Sequence, residues 1–248
     1  MSGHSKWSTI KRKKGAADAK RSKIFSRIAK EIQIAVKESG GDPNNNPRLR
    51  LAIANARGVN MPKDNIERAI NSAEKDESTL QELTYEGFGP GGIALFIECL
   101  TDNHNRTVSN IRAIFNRRGG YLGSSGSVGF MFERKGMFTV PKDIQNHEEF
   151  ELEIIDAGAE DIYIEGDYYI ITTSLEDFGK VQKRLEKIGI VPESAELQRI
   201  PTSTKKLNNE DALKVMKAIE EFEDEDDVQY VYHNLEITDQ LIKSMEDY

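Results

Sequence analysis

Apolar positions in the first third of the chain recur with helical spacing. Ile24, Ile28, Ile32 and Val36 fall four residues apart, with Phe25 and Ala35 beside them, which predicts an amphipathic helix over residues 18–39. Asp18 is the expected N-cap and Gly40-Gly41 the stop. After a turn-rich stretch, Pro47 fits the first helical position behind Asn46 as cap. Leu49, Ala52, Ile53 and Ala56 carry that second helix to Gly58, and Ile66, Ala69, Ile70 and Ala73 line a third that opens after Met61-Pro62. Three such helices with short connections predict a small bundle within residues 1–77. Residues 1–17 (MSGHSKWSTIKRKKGAA) carry no periodic apolar face, and an extended or mobile arm is expected there in the absence of a ligand.

Beyond an acidic, polar stretch at 76–83, which reads as a linker, the period changes. Residues 92–101 (GIALFIECLT) are almost continuously apolar over strand length, the signature of a central strand. A helix follows over about 106–118, with Val108, Ile111, Ile114 and Phe115 inward, and Gly119-Gly120 ends it. Val128, Phe130 and Phe132 then alternate as in a strand. Residues 136–204 read as β-α-β-β-α-β, the ferredoxin-like order: strands at 137–140, 161–164, 168–172 and 195–200, helices at 147–156 and 175–188. The segment 78–135 has only one helix and looks incomplete. The tail supplies a helix at 208–222 and a short β-prone run at 229–232. The expected fold class is therefore α+β and multidomain: an N-terminal three-helix domain (1–77) plus two α/β ferredoxin-like domains, one (136–204) inserted in the other (78–135 with 205–248).

Composition sharpens this picture in one respect. The chain of 248 residues has a net charge of -8, yet residues 1–75 hold 17 Lys and Arg against 7 Asp and Glu, while the remainder holds 17 against 35. Such a split suggests a basic module that meets a polyanion. A single cysteine, Cys99, lies inside the apolar run, so no disulfide framework is available within the chain and a buried thiol is expected. No apolar run approaches the roughly 18–20 residues of a membrane span. The first 30 residues lack the apolar core of a secretory signal, and a cytoplasmic protein is expected, with no membrane partner.

Catalytic and metal chemistry find little support. The four histidines (His4, His104, His147, His233) are scattered without zinc-ligand spacing, and neither a P-loop nor a nucleophile elbow occurs. No cofactor, no metal and no enzymatic activity are expected. The acidic run 220–227, with seven carboxylates in eight positions, reads as a solvated loop. The turn around Gly87, Gly89, Gly91 and Gly92 precedes a strand, the wrong order for a nucleotide fingerprint, and reads as a tight turn between strands. The loop from Gly123 to Ser127 is donor-rich and of a kind that can touch phosphate.

Cationic positions form the stronger pattern. Lys6, Lys11, Arg12, Lys13, Lys14, Lys20, Arg21 and Lys23 crowd the leading end, and Trp7 among them is a candidate to stack on an unpaired base or, equally, to fold back onto the bundle. Phosphates release condensed counterions when cations replace them, so about six such contacts imply roughly a three-decade fall in affinity between 50 and 200 mM salt. A second cluster comprises Arg106, Arg112, Arg117 and Arg118, with Asn103, Asn105 and Asn110 nearby. Arginine with asparagine on one surface suits contacts to nucleic-acid backbone and bases, although arginines closing a helix also complement its dipole.

The same residues carry a resemblance. The stretches GHSKWSTIKRKKGAADAKRSKIFSRI, MPKDNIERAI, YEGFGPGG, TDNHNRTVSNIR and GGYLGSSGSVGFMF, spanning residue 3 to about 132, resemble the YebC/PmpR family. The resemblance implies a three-domain cytoplasmic bacterial protein. Family members are described as DNA-binding transcriptional regulators, and also as ribosome-associated translation factors that help at difficult peptide sequences. The resemblance thus implies a nucleic-acid-binding regulator of gene expression, with an RNA- and ribosome-bound translation factor as the alternative. An enzyme with a site among the Gly-rich loops is a third reading, and the sequence shows no converging acid–base pair for it. Lys6, Trp7, Lys11, Lys13 and Arg106 are the positions the resemblance marks for test.

Overall fold

In the computed structural model, residues 18–75 and 80–246 are described. They fall into two compact units, residues 80–133 with 199–246 and residues 18–75 with 134–198.

The first unit is built on a four-stranded antiparallel sheet of order β3-β1-β2-β8, from β1 (Gln81–Phe88), β2 (Ala94–Thr101), β3 (Tyr121–Leu122) and β8 (Val228–His233). The apolar run seen in the sequence is the inner strand β2, paired on both sides. Three helices, α4 (His104–Arg117), α7 (Asn209–Asp224) and α8 (Asp239–Glu246), complete the unit. Ile93, Leu95, Ile97 and Cys99 meet Ile111, Phe115, Ile219 and Phe222 in one core, where the Phe115 and Phe222 rings lie 4.7 Å apart. Cys99, the one cysteine of the sequence, is buried. Helix α4 joins β2 to β3 across the intervening β1, and α7 leads into β8 beside β2. This is the ferredoxin-like sheet with one inner strand, β1, moved to the start of the chain. Ala94, Phe96 and Tyr232 form a smaller cluster with Val128 and Phe132, and Arg199 lies 3.9 Å above the Phe96 ring while donating to Glu98.

The second unit contains two cores. Helices α1 (Asp18–Ser39), α2 (Pro47–Gly58) and α3 (Lys63–Lys75) bury Ile28, Ile32, Val36, Leu49, Ile53, Ile66 and Ala69 together. Asn46 caps α2 by accepting from Leu49 N–H, with Pro47 behind it, as its sequence predicts. The other core belongs to a sheet of order β5-β6-β4-β7, from β4 (Phe132–Pro141), β5 (Ala159–Glu165), β6 (Tyr168–Thr173) and β7 (Ser194–Pro201). Helices α5 (His147–Asp156) and α6 (Phe178–Lys187) pack Phe150, Ile154, Val181 and Leu185 onto Phe138, Val140, Tyr169 and Ile171. Strand order and element sequence are those of the ferredoxin-like arrangement predicted from the chain.

Bundle and sheet meet through α2. The buried Asn55 amide donates to the Ala195 carbonyl and accepts from the Ala195 N–H, both at 2.9 Å, so one side chain satisfies the backbone of edge strand β7 as a neighbouring strand would. Gly58 lies so close that a Cβ there would overlap the Glu193 carbonyl oxygen.

Several local expectations need correction. The alternation at 128–132 is not a strand: residues 129–131 form a 3₁₀ turn and Phe130 is 78% exposed, because the Glu86 carboxylate draws in the N–H groups of Gly126, Val128 and Gly129. The linker expected at 76–83 is shorter, since β1 already begins at Gln81. The helix expected from Arg106 starts at His104, with Asn103 as its cap. Helix α6 starts later than residue 175 because Ser174 and Asp177 bond each other in a preceding turn. Strand β3 and helix α8 were not anticipated.

Candidate nucleic-acid interface

Basic residues of α1 follow its geometry. Lys23, Arg27 and Lys30 recur at three- and four-residue steps, with Lys37 seven residues further on; all four are half-buried, and the buried Ile34 lies among them. The helix carries six basic and three acidic residues. Arg21 is exposed, its guanidinium carbon 5.5 Å from the Phe25 ring centroid, and Lys23 is half-buried. Lys20 lies within α1. Lys6, Trp7, Lys11, Arg12, Lys13 and Lys14 lie outside the described residues.

Helix α2 holds three arginines and no acid. Arg48 pairs with Glu38 at 2.6 Å, Arg50 donates to the Pro43 carbonyl at 3.1 Å, and Arg57 is exposed. Helix α3 follows a four-residue turn in which Asn60 adopts φ 56°, the left-handed conformation that asparagine tolerates. Its residues comprise three basic and three acidic side chains. A helix that enters a major groove presents donors to an anionic surface, and α3 has no cationic excess with which to do so. The cationic faces are those of α1 and α2.

The arginine cluster of α4 is differently placed. Arg106 grips the buried Asp227 carboxylate, with Nη2 at 3.0 and 2.9 Å from its two oxygens and Nε at 3.2 Å, and adds Asp102 at 2.8 Å. These hydrogen bonds, Asp227 first, hold the guanidinium in its protonated form beyond its ordinary tendency. Thr107 Oγ1 donates to the same carboxylate at 2.9 Å. Arg117 and Arg118 both pair with Glu221 on α7, and Asn110 donates to Glu225 at 2.8 Å. Arg112 is exposed and forms no ion pair among the described residues. The acidic run 220–227 is therefore not a detached solvated loop. It completes α7 and turns three of its seven carboxylates, Glu221, Glu225 and Asp227, onto α4, so three of the four arginines are ion-paired within their own unit.

The Gly-rich segments are likewise occupied. Glu86 accepts from Gly126 N–H at 2.8 Å and from Val128 and Gly129 N–H at 2.7 Å each. Burial pushes its pKa up, but the three donors and the nearby Arg199 outweigh burial and hold the carboxylate below its usual range. The loop over 123–129 thus serves an internal anion through the N–H groups of Gly126, Val128 and Gly129. The turn after β1 is closed by Gly92 N–H to Gly89 O at 3.1 Å, with Gly91 and Gly92 at positive φ, as expected for a tight turn between strands. Of the missed partners, Glu221 and Asp227 are two carboxylates within an acidic run and Glu86 stands among uncharged neighbours, and no local spacing marks any of them.

Among the described residues no helix is long and apolar enough to cross a membrane. The model of the TACO1/YebC N-terminal domain matches residues 5–76, and that of the TACO1/YebC second and third domains matches residues 80–235. A protein of Amoebophilus asiaticus named probable transcriptional regulatory protein is 53% identical over 239 residues, covering 95% of this chain and 98% of its own. A relative of the same name from Geotalea uraniireducens is 50% identical, covering 99% of this chain and 100% of its own. The crystal structure of a conserved hypothetical protein from Aquifex aeolicus superposes with a TM-score of 0.82 at 42% identity, over 90% of this chain and 93% of that one. With both family models matched in order and relatives of about half-identical sequence over their full length, the chain belongs to the TACO1/YebC family.

Proposed function

We propose that the chain is a non-enzymatic, cytoplasmic regulator of gene expression that holds nucleic acid through its first 75 residues. The observation that carries this reading is the cationic excess there, 17 basic against 7 acidic residues, nine of the basic ones on α1 and α2. The relatives' name, probable transcriptional regulatory protein, supports the regulatory role and favours DNA as the polymer. Contacts are to sugar–phosphate backbone and shape, which needs no base-reading helix. The arginines of α4 contribute less, because Asp227, Asp102 and Glu221 already form ion pairs with three of them.

One feature favours a second reading. Helix α3, the later member of the α2–α3 pair, is balanced in charge, so sequence-specific major-groove recognition has no evident instrument. That suits structured RNA on the ribosome as the target. Binding of duplex DNA, a scrambled duplex and structured RNA across a salt series separates the two. A preference for one duplex supports the transcriptional reading; equal duplex affinities with tighter RNA binding support the ribosomal one. Absence of binding to DNA and to ribosomes in dilute buffer would defeat both.

A further inference from the structure

We propose that the inserted domain carries a protein-docking ridge on α5, and that its occupant is a basic amphipathic helix of a partner protein. Of the nine large hydrophobic side chains exposed among the described residues, six lie between residues 152 and 197. Two of them, Leu152 and Ile155, are 64% and 53% exposed and stand one helical turn apart on the outer side of α5. Phe150 and Ile154 already anchor the helix to its own core, so the outer pair does not serve the fold. Ile164, 47% exposed, is a further exposed apolar side chain, on edge strand β5. It pairs in register with Tyr169, whose ring meets Phe150, so it lies on the face of the sheet that α5 covers.

The neighbouring helix shows that this is not a general property of the domain. The exposed positions of α6 are Gly179, Lys180, Lys183, Glu186 and Lys187, with no large apolar side chain among them. Charge decides what fits α5. Residues 134–198 hold 7 basic and 15 acidic side chains, and Glu148 and Asp156 flank the Leu152–Ile155 pair on the same exposed side. Glu153 is held by Arg184 and Glu149 by Asn146, which leaves those two carboxylates to face a partner. An apolar pair between carboxylates complements a helix with apolar anchors and flanking lysines or arginines. An anionic lipid surface or a nucleic acid would be repelled.

Fluorescence anisotropy of a labelled synthetic Leu/Lys amphipathic helix, titrated with the full chain, tests this. Saturable binding is expected, weakened at least tenfold in Leu152→Ser/Ile155→Ser and also in Glu148→Lys/Asp156→Lys. Leu175→Ser, at another exposed apolar position, should leave it unchanged. Because all four substituted side chains are exposed, unchanged circular dichroism and Tm accompany the loss. The first double variant should retain wild-type nucleic-acid affinity, so this proposal and the nucleic-acid reading fail separately. Equal binding of a Leu/Glu helix, or full binding by the Leu152→Ser/Ile155→Ser variant, overturns the proposal. So does sedimentation showing a self-associated chain that the same variant dissociates, since the ridge would then belong to a second copy.

Discussion

Glu86 illustrates how a single charge shapes its surroundings. Its carboxylate replaces water for three backbone N–H groups, and a glutamine there would turn an amide nitrogen toward donors. Glu86→Gln is expected to cost about 1.5–3 kcal/mol in denaturant unfolding, the range for hydrogen bonds to a charged group. The sign with pH follows from the depressed pKa. Stabilisation by the ionised form is fully present above the ordinary value of 4.5 and fades as pH falls below it, through the folded-state value. The stability difference between wild type and variant should therefore shrink on acidification below about pH 4.5, measured by urea titrations at stepped pH. Arg106 makes the complementary case. Arg106→Ala leaves Asp227 buried and without its principal ion pair, so Tm should fall while affinity for nucleic acid stays near that of wild type. A large loss of affinity with unchanged Tm would reassign Arg106 to the interface. Arg106 stands out in the sequence and Glu86 does not, and their partners lie 121 and 40 to 43 positions away, beyond the reach of any local pattern.

At the scale of elements, capping and periodicity were legible where the determinants are local. Asn46-Pro47 and the apolar faces of α1 to α3 were readable because a cap or a helical face involves residues within a few positions of one another. The alternation at 128–132 misled because two strand-like steps were bent by the remote carboxylate of Glu86. Strand β3, of two residues, is too short to carry a periodic signal. The docking of α2 onto β7 was invisible for the same reason of distance. Asn55→Ala should remove both bonds to Ala195, leave a buried N–H and C=O unmatched, and lower stability by about 2 kcal/mol. Hydrogen exchange at residues 194–196 should rise with it. Unaltered protection there would show that Asn55 does not hold the edge.

The whole molecule divides its charge by task. Basic residues gather toward the leading end, while acids of the later part are spent internally on α4 or displayed on the inserted domain. Nucleic-acid affinity should fall by roughly three decades between 50 and 200 mM salt if about six phosphates are neutralised. Lys11→Glu with Lys13→Glu should abolish co-sedimentation with ribosomes or retention of duplex, whichever polymer proves to be the target. Arg117→Gln with Arg118→Gln should change affinity little, because Glu221 already holds both arginines. A flat salt series would remove the electrostatic basis of the reading.

Periodicity, caps and charge asymmetry follow from neighbours along the chain, so the sequence alone determined the helical bundle, the inserted β-α-β-β-α-β unit and the basic leading end. Which cations stay available was decided only in three dimensions. A carboxylate far along the chain neutralises an arginine only when folding brings them within a few ångströms, where their attraction outweighs the loss of water. That is how Asp227 and Glu221 come to hold three arginines of the expected binding surface in ion pairs.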